Sequence, residues 1–409
     1  MVQAVSAQEG GESSSLTLQE LIGAARTNNP ELRVFAAGVE AARGGVTTAS
    51  VFQNPDLSFT PALKHLPAAD GNPSDTMFKG TFGLNQVIEF PGKRTLRRAI
   101  AEKDVAASQL ALDSFGYQVE LQTRKVFGDL LAAQEVEALR SEQVESAKVF
   151  AEAARKRAES GYAADFEVVK AETELVNAKK SLREAQANRE SARVGLNSLA
   201  GRSADAPLKI SGTLDEKTSI LPTANLITFA LTNHPGLRVQ NVLAERAGLN
   251  IKSVRLSRKP DFTVGPSVEY ARDEQIYGFG ISVPLPFWNN KKGEIQTANA
   301  GQKKALAEAE TLQREVVRSV SVAAERLRSA NDQLALYSPD FRSRLKAVVE
   351  QAEKSYAQSA TSLLIYLDAK RTYFDTLADY TESLAKVAEA RAELESAVGV
   401  PFNLNLSNP

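Results

Sequence analysis

A long-range internal repeat constrains this chain more than any single residue does. The stretch LTLQELIGAARTNNPELRV beginning at Leu16 returns as LPTANLITFALTNHPGLRV beginning at Leu221, with Pro30 answered by Pro235. In the same register NPDLSF at Asn54 meets KPDFTV at Lys259, so that Pro55 corresponds to Pro260 and Asp56 to Asp261. After a small slip in spacing, FGLNQVIEFPGKR from Phe82 aligns with FGISVPLPFWNNKK from Phe279, and the segment Gly161 to Gly201 parallels Ser359 to Gly399. One unit was duplicated, and each half should build the same elements: helix, two strands, long helix, break, long helix. This puts a first repeat at 16–205 and a second at 221–400, with a linker at 206–220 and flexible tails at 1–15 and 401–409.

Composition narrows the chemistry. Among 409 residues there are 49 basic and 50 acidic side chains, so no strong field argues for nucleic acid as a partner. There is no cysteine, and the two histidines are His65 and His234, which removes disulfides, thiol chemistry and a structural zinc site. His65 is expected in a loop and His234 at a helix end, so neither is read as a metal ligand. Val5-Ser6-Ala7 before Gln8 resembles the small-residue end of a signal peptide, and equally suits a polar tail. No window holds the ~18 apolar residues of a transmembrane helix. A membrane role would have to use strands.

Four segments alternate at period two. The expected strands are 56–64, 77–90, 261–271 and 275–287, about 9 to 14 residues each, roughly the length of a membrane strand. Their apolar faces carry Leu57, Phe59 and Leu63; Phe78, Phe82, Leu84 and Ile88; Phe262, Val264, Val268 and Tyr270; and Tyr277, Phe279, Ile281, Leu285 and Phe287. Isolated, such strands would suit a half-buried sheet packed on helices. Here the neighbouring helices use their apolar stripes on each other, which leaves lipid to cover Phe78, Phe82, Phe262, Phe279 and Ile281. Four strands cannot close a barrel, because the smallest membrane barrels need about eight and an open edge in hydrocarbon leaves backbone groups unpaired. Three copies would supply twelve. Phe90 with Pro91, and Phe287 with Trp288, end the second and fourth strands where interfacial aromatics belong.

From Lys93 to Ser160 the chain has no proline and is rich in helix formers, which predicts a rod of roughly 100 Å. The return helix places Val168, Ala171, Leu175, Ala178, Leu182, Ala185, Ala192, Leu196 and Leu199 at alternating spacings of three and four, interrupted by Arg189. Its counterpart carries two stripes, one through Leu363, Leu367, Phe374, Leu377 and Leu384, the other through Tyr366, Ala369, Tyr373, Tyr380, Val387, Ala390 and Leu394. A helix with two stripes has neighbours on both sides, as in a wall of helices. A break is expected at Pro339.

With these features in order, the chain resembles the TolC family of outer-membrane efflux ducts, over nearly all its length. The carrying residues are the TLQELIGAARTNNPELR and NLITFALTNHPGLR segments, the EFPGKR and PLPFWNNKKGEI turns, and the tips ESGYAADFEVVKAETEL and QSATSLLIYLDAKRTY. The two turns look most like the branch serving heavy-metal and other cation pumps. The resemblance implies an α+β membrane protein: a homotrimer with a twelve-stranded barrel in outer-membrane lipid and a long helical barrel crossing the periplasm. It implies a periplasmic adaptor (membrane fusion) protein and an inner-membrane pump as partners, no cofactor and no catalytic site. Carried over by position, the tip and gate fall on Gly161, Glu167, Tyr356, Ser359 and Asp368, with Ile365 standing where a further aspartate often occurs. Three carboxylates converging on an axis repel one another, disfavour anions and hold hydrated cations. Arg155, Lys156 and Arg157 precede the first tip, and Arg155 and Arg157 are the expected adaptor contacts. The competing class is a periplasmic coiled-coil adaptor or scaffold that never enters lipid; an enzyme is a distant third, since no nucleophile with its base, phosphate loop or metal cluster is visible.

Overall fold

The computed structural model describes residues 15–66, 74–161, 164–214, 221–271, 274–358 and 360–399. The tails at 1–14 and 401–409, including Val5-Ser6-Ala7, and the linker residues 215–220 lie outside the described residues, as does Ser359.

The described chain runs α1 (Leu18–Asn28), α2 (Pro30–Ser50), β1 (Asp56–Leu66), β2 (Asp75–Ile88), α3 (Lys93–Glu159) and α4 (Asp165–Leu199). It continues with α5 (Thr223–Asn233), α6 (Pro235–Leu256), β3 (Phe262–Ala271), β4 (Glu274–Ser282), α7 (Lys292–Ala335), α8 (Pro339–Ala357) and α9 (Leu363–Val398). Each repeat opens on two helices rather than the single one expected. Pro30 and Pro235 have no N–H to give, and each holds the residue before it, Asn29 at ψ 120° and His234 at ψ 119°, out of the helical region.

Two compact units emerge. One comprises the chain to Val34, Asp113–Pro235 and the chain from Gln313; the other comprises Phe35–Leu112 and Gly236–Leu312. The repeats divide the sequence, whereas the units divide space: each unit draws on both repeats.

In the first unit Leu21 of α1, Phe127, Leu130 and Leu131 of α3, Leu196 and Ala200 form a core with Leu208. Residues 206–214 join it through a parallel bridge of Leu16 with Ile210. The α4 seam is buried at Ala171, Ala178, Ala185 and Leu196. Arg189, which interrupts that seam, pairs with Glu137 of α3 at 2.9 Å. Helix α9 buries Leu363, Phe374 and Leu384 of one stripe together with Tyr366, Val387, Ala390 and Leu394 of the other. Ion pairs tie it to α3 (Lys125–Glu389 and Arg140–Asp375) and to α7 (Arg326–Glu393). The break falls at Pro339, where the Ser338 side chain caps α8 by accepting from the Phe341 N–H.

The second unit holds the sheet, antiparallel throughout in the order β1-β2-β3-β4. Register places Leu57 opposite Leu84, Phe59 opposite Phe82 and Leu63 opposite Phe78, then Phe82 opposite Val268, and Val268 opposite Tyr277. These residues share one face with Phe262, Phe279 and Ile281. The other face carries Ser58, Thr60, Thr81, Ser267 and the Lys79–Glu269 ion pair at 2.6 Å. Strand β4 ends at Ser282, short of the expected Phe287, because Pro284 and Pro286 have no ladder donor. His65 stands in β1, not in a loop, with Nδ1 at 3.0 Å from Thr76 Oγ1.

The sheet passes into α3 through a charged junction that accounts for the EFPGKR segment. Gly92 takes φ +94°, a conformation that favours glycine. Asp261 accepts from the Phe90 N–H at 2.7 Å and from Lys93 Nζ at 2.8 Å. Arg97 grips the Glu89 carboxylate with two bonds and donates to the carbonyls of Ala49 and Val51. Replacing Asp261→Ala should remove about 2 kcal/mol of local stability and speed amide exchange at Phe90 by about 30-fold. Hydrogen exchange read by mass spectrometry checks this, and unchanged exchange would mean Asp261 does not hold the junction.

Candidate functional site

Two regions could carry function, the helix-turn tips of the first unit and the bare face of the sheet in the second. At the first tip α3 ends on Ser160 and Gly161, whose N–H reaches the Ala158 carbonyl and whose φ is +73°. A side chain is disfavoured in that conformation, so glycine is what the turn requires. Glu167 lies in the first turn of α4 and is half-buried. At the second tip the Ser362 hydroxyl caps α9.

The tip is held together by Phe150, Ala151 and Ala154 of α3, Ala171 of α4, and Leu363 and Tyr366 of α9. Tyr356 belongs to this packing. Its ring stacks on Tyr366 with centroids 5.4 Å apart and planes at 10°, lies 5.4 Å from Phe150, and receives the Arg157 guanidinium at 5.3 Å. Burial pushes both phenols above their ordinary pKa, with Glu167 adding to the shift at Tyr356. The structure thus gathers Tyr356, Arg157 and Glu167 in one neighbourhood. Arg155 is separately engaged, with Glu172 of α4 at 2.5 Å.

Asp368 stands apart from that group. It is exposed on α9, and its carboxylate pairs with Arg371 one turn on at 2.8 Å. Ile365 beside it is exposed, as are Leu364 and, at the other tip, Phe166 and Val169. Phe166 and Leu364 occupy corresponding positions of the two repeats. The heptad pattern missed them because they fall off the seam, and large apolar residues off the seam in the first turn were the available signal. His234 ends α5, with its N–H on the Ala230 carbonyl; burial lowers its pKa. Among the described residues no group of three or more His, Asp or Glu side chains is placed to hold a metal ion.

The sheet presents the second region. Phe78, Phe82, Phe262, Phe279 and Ile281 all lie exposed on its apolar face, with Leu57 at 78% and Phe279 at 67% exposure. Trp288, beyond β4 and edge-on to Phe287, is 95% exposed. Large apolar side chains gathered on one exposed face mark a surface that meets a partner or a membrane. Among the described residues no helix is long and apolar enough to cross a membrane.

The family model for outer membrane efflux proteins matches residues 21–202 and 226–400, one match on each repeat. The chain is 25% identical over 393 residues to the cobalt-zinc-cadmium resistance protein CzcC of Cupriavidus metallidurans, covering 94% of this chain and 90% of that one. Among solved structures it is similar to CusC, with a TM-score of 0.79 at 17% identity over 94% of this chain and 92% of that chain. It is also similar to the CmeC outer membrane channel of Campylobacter jejuni, with a TM-score of 0.78 at 16% identity over 98% and 92% of the two chains.

Truncating Tyr366→Ala should cost the tip about 3 kcal/mol, whereas Tyr366→Phe should cost under about 1. Limited trypsin digestion reads this directly: cleavage after Arg157 should accelerate in the alanine variant only, and equal rates in both would mean the ring does not hold the tip.

Proposed function

The chain belongs to the outer membrane efflux protein family, and from that membership we propose that three copies assemble an exit duct, with a twelve-stranded barrel in outer-membrane lipid continued by a helical barrel in the periplasm. It resides in the outer membrane, reaches into the periplasm and serves a tripartite efflux system. The observation that carries the proposed assembly is the sheet: among the described residues nothing covers its apolar face and neither edge strand has a partner on its outer side. A coiled-coil scaffold outside lipid would leave that face in water, which argues against the competing class. We read the chain as a passive conduit without catalysis or cofactor, since the pump supplies the energy.

The proposed partners are a periplasmic adaptor at the helix tips and, through it, an inner-membrane pump. Arg155 and Arg157 remain our proposed adaptor contacts, their intrachain pairing notwithstanding, and the exposed Phe166 and Leu364 extend that surface. Metal cations are the favoured cargo, on the likeness to a cobalt-zinc-cadmium resistance protein; drugs are the second class.

Gly161, Glu167, Tyr356, Ser359 and Asp368 are proposed to form the gate region, with distinct duties. Gly161 makes the turn and Tyr356 stiffens it, while Glu167 supplies charge. Asp368 is paired with Arg371, which weakens any cation-holding ring it would form. In planar bilayers Glu167→Ala should therefore lower cation preference more than Asp368→Ala, and Arg371→Ala should raise it. Unchanged reversal potentials in all three would remove these residues from the constriction. The assembly itself is tested on unboiled gels of detergent-extracted outer membranes. A band near three times 44.2 kDa that collapses on heating is expected, and Phe279→Asp should abolish it; a soluble monomer would overturn the reading.

A further inference from the structure

The internal duplication supplies a template for the contact that one chain cannot make with itself. The two repeats meet inside the sheet at the β2–β3 ladder, where Phe82 stands opposite Val268 and Gly80 opposite Tyr270. On the outer strands the corresponding residues are Phe279 for Phe82, Tyr277 for Gly80, Leu63 for Val268 and His65 for Tyr270. Transferring the register puts Phe279 opposite Leu63, and Tyr277 opposite His65, between β4 of one copy and β1 of the next. Both pairs fall on the apolar face, and a one-residue slip would have set apolar against polar residues. Proline repeats as well: the β2–β3 ladder skips Pro266, and Pro61 holds the corresponding place on β1.

Charge repeats with the register. Asp261 holds Lys93, the first residue of α3, at 2.8 Å. Its counterpart Asp56 is exposed at the head of the edge strand. Lys292 opens α7 as Lys93 opens α3. The residues just ahead, Gly92 and Lys291, both have positive φ, at 94° and 59°, and their carbonyls accept from the Leu96 and Ile295 N–H groups alike. Among the described residues neither Asp56 nor Lys292 makes an ion pair within the chain.

We propose that Asp56 of one copy pairs with Lys292 of its neighbour and fixes β4 against β1 in the Phe279–Leu63 register. This rests on the assembly read above and adds its register and its charge pair. The partner is a second copy of this chain. The copy is not perfect: Pro286 and Gln296 stand where Glu89 and Arg97 form the second ion pair of the internal junction. The Phe287 N–H is also taken by the Leu285 carbonyl, so the bond that Asp261 receives from Phe90 is not carried over. The seam between copies thus rests on one charge pair where the internal junction has two.

The chain has no cysteine, so engineered pairs report cleanly. In the full-length protein in outer membranes, Phe279→Cys with Leu63→Cys should give boiled, oxidised, reductant-sensitive dimers and trimers. Phe279→Cys with Ala62→Cys, which points to the opposite face, should link about tenfold less. Equal linking of the two pairs would overturn the register. A wild-type trimer on unboiled gels with no linking of the test pair would overturn the register alone, while absence of a wild-type trimer would fail the assembly and this inference with it. For the charge pair, Asp56→Asn and Lys292→Asp should each lower the temperature at which the unboiled trimer dissociates, and Asp56→Lys with Lys292→Asp should restore it. Unchanged dissociation in both single variants, or no restoration in the double, would overturn the pairing.

Discussion

An antiparallel sheet of four strands, apolar on one face and, among the described residues, unpaired at both edges, is the constraint from which the rest follows. In water the face would expose Leu57, Phe82, Phe279 and their neighbours together. Lipid removes that cost but raises another, because every unpaired edge group in hydrocarbon is penalised by several kcal/mol. Satisfying both demands at once requires a closed barrel, and four strands are too few to close one. In the assembly proposed above, the sheet of one chain is a fragment that other copies complete. The helices bury part of their stripes within the chain, Ala171, Ala178, Ala185 and Leu196 of α4 and Phe374, Leu384, Val387 and Leu394 of α9, while Leu175, Leu182, Leu367 and Leu377 stay half-buried.

Duplication explains how one chain specifies such a fragment. Each repeat delivers a strand pair and returns into a long helix through a turn with a positive φ, at Gly92 and at Lys291. Where the two repeats meet inside the chain, Asp261 binds the turn of the preceding repeat through Phe90 and Lys93. The same junction anchors the sheet to the helix that leaves it, through two carboxylates, Asp261 on Lys93 and Glu89 on Arg97. At the helical end, specificity comes from aromatic packing instead. Tyr356, Tyr366 and Phe150 lock the turns while leaving Phe166, Leu364 and Ile365 outside.

Much of this was legible in the chain. Period-two alternation identified the faces of all four strands, because successive side chains of a strand point to opposite faces and the large apolar ones fall on one of them. Gly161 announced its turn, and Pro339 its break. Other features were legible in principle and were missed: Pro30 and Pro235 each split a helix, and Pro284 with Pro286 ends β4 early. The Asp368–Arg371 pair is an i,i+3 spacing visible in the sequence, yet its compensating effect on a candidate gate charge needed the geometry. Tyr356 was not separable by sequence, since a turn residue and a seam residue have the same composition there. His65 looked like loop because the apolar alternation stops at Leu63, whereas the backbone ladder continues to Leu66.

The proposed barrel requires that the apolar face of the sheet meet lipid and that the opposite face not do so. Its most direct measurement is a nitroxide scan through single-cysteine variants at positions 274 to 282 of β4, in reconstituted membranes, reading collision with oxygen against collision with a water-soluble nickel chelate. Accessibility should alternate with period two, with oxygen favoured at Tyr277, Phe279 and Ile281 and the chelate favoured at Gly278 and Gly280. Uniform access of the chelate along the strand would contradict it and return the sheet to an aqueous setting.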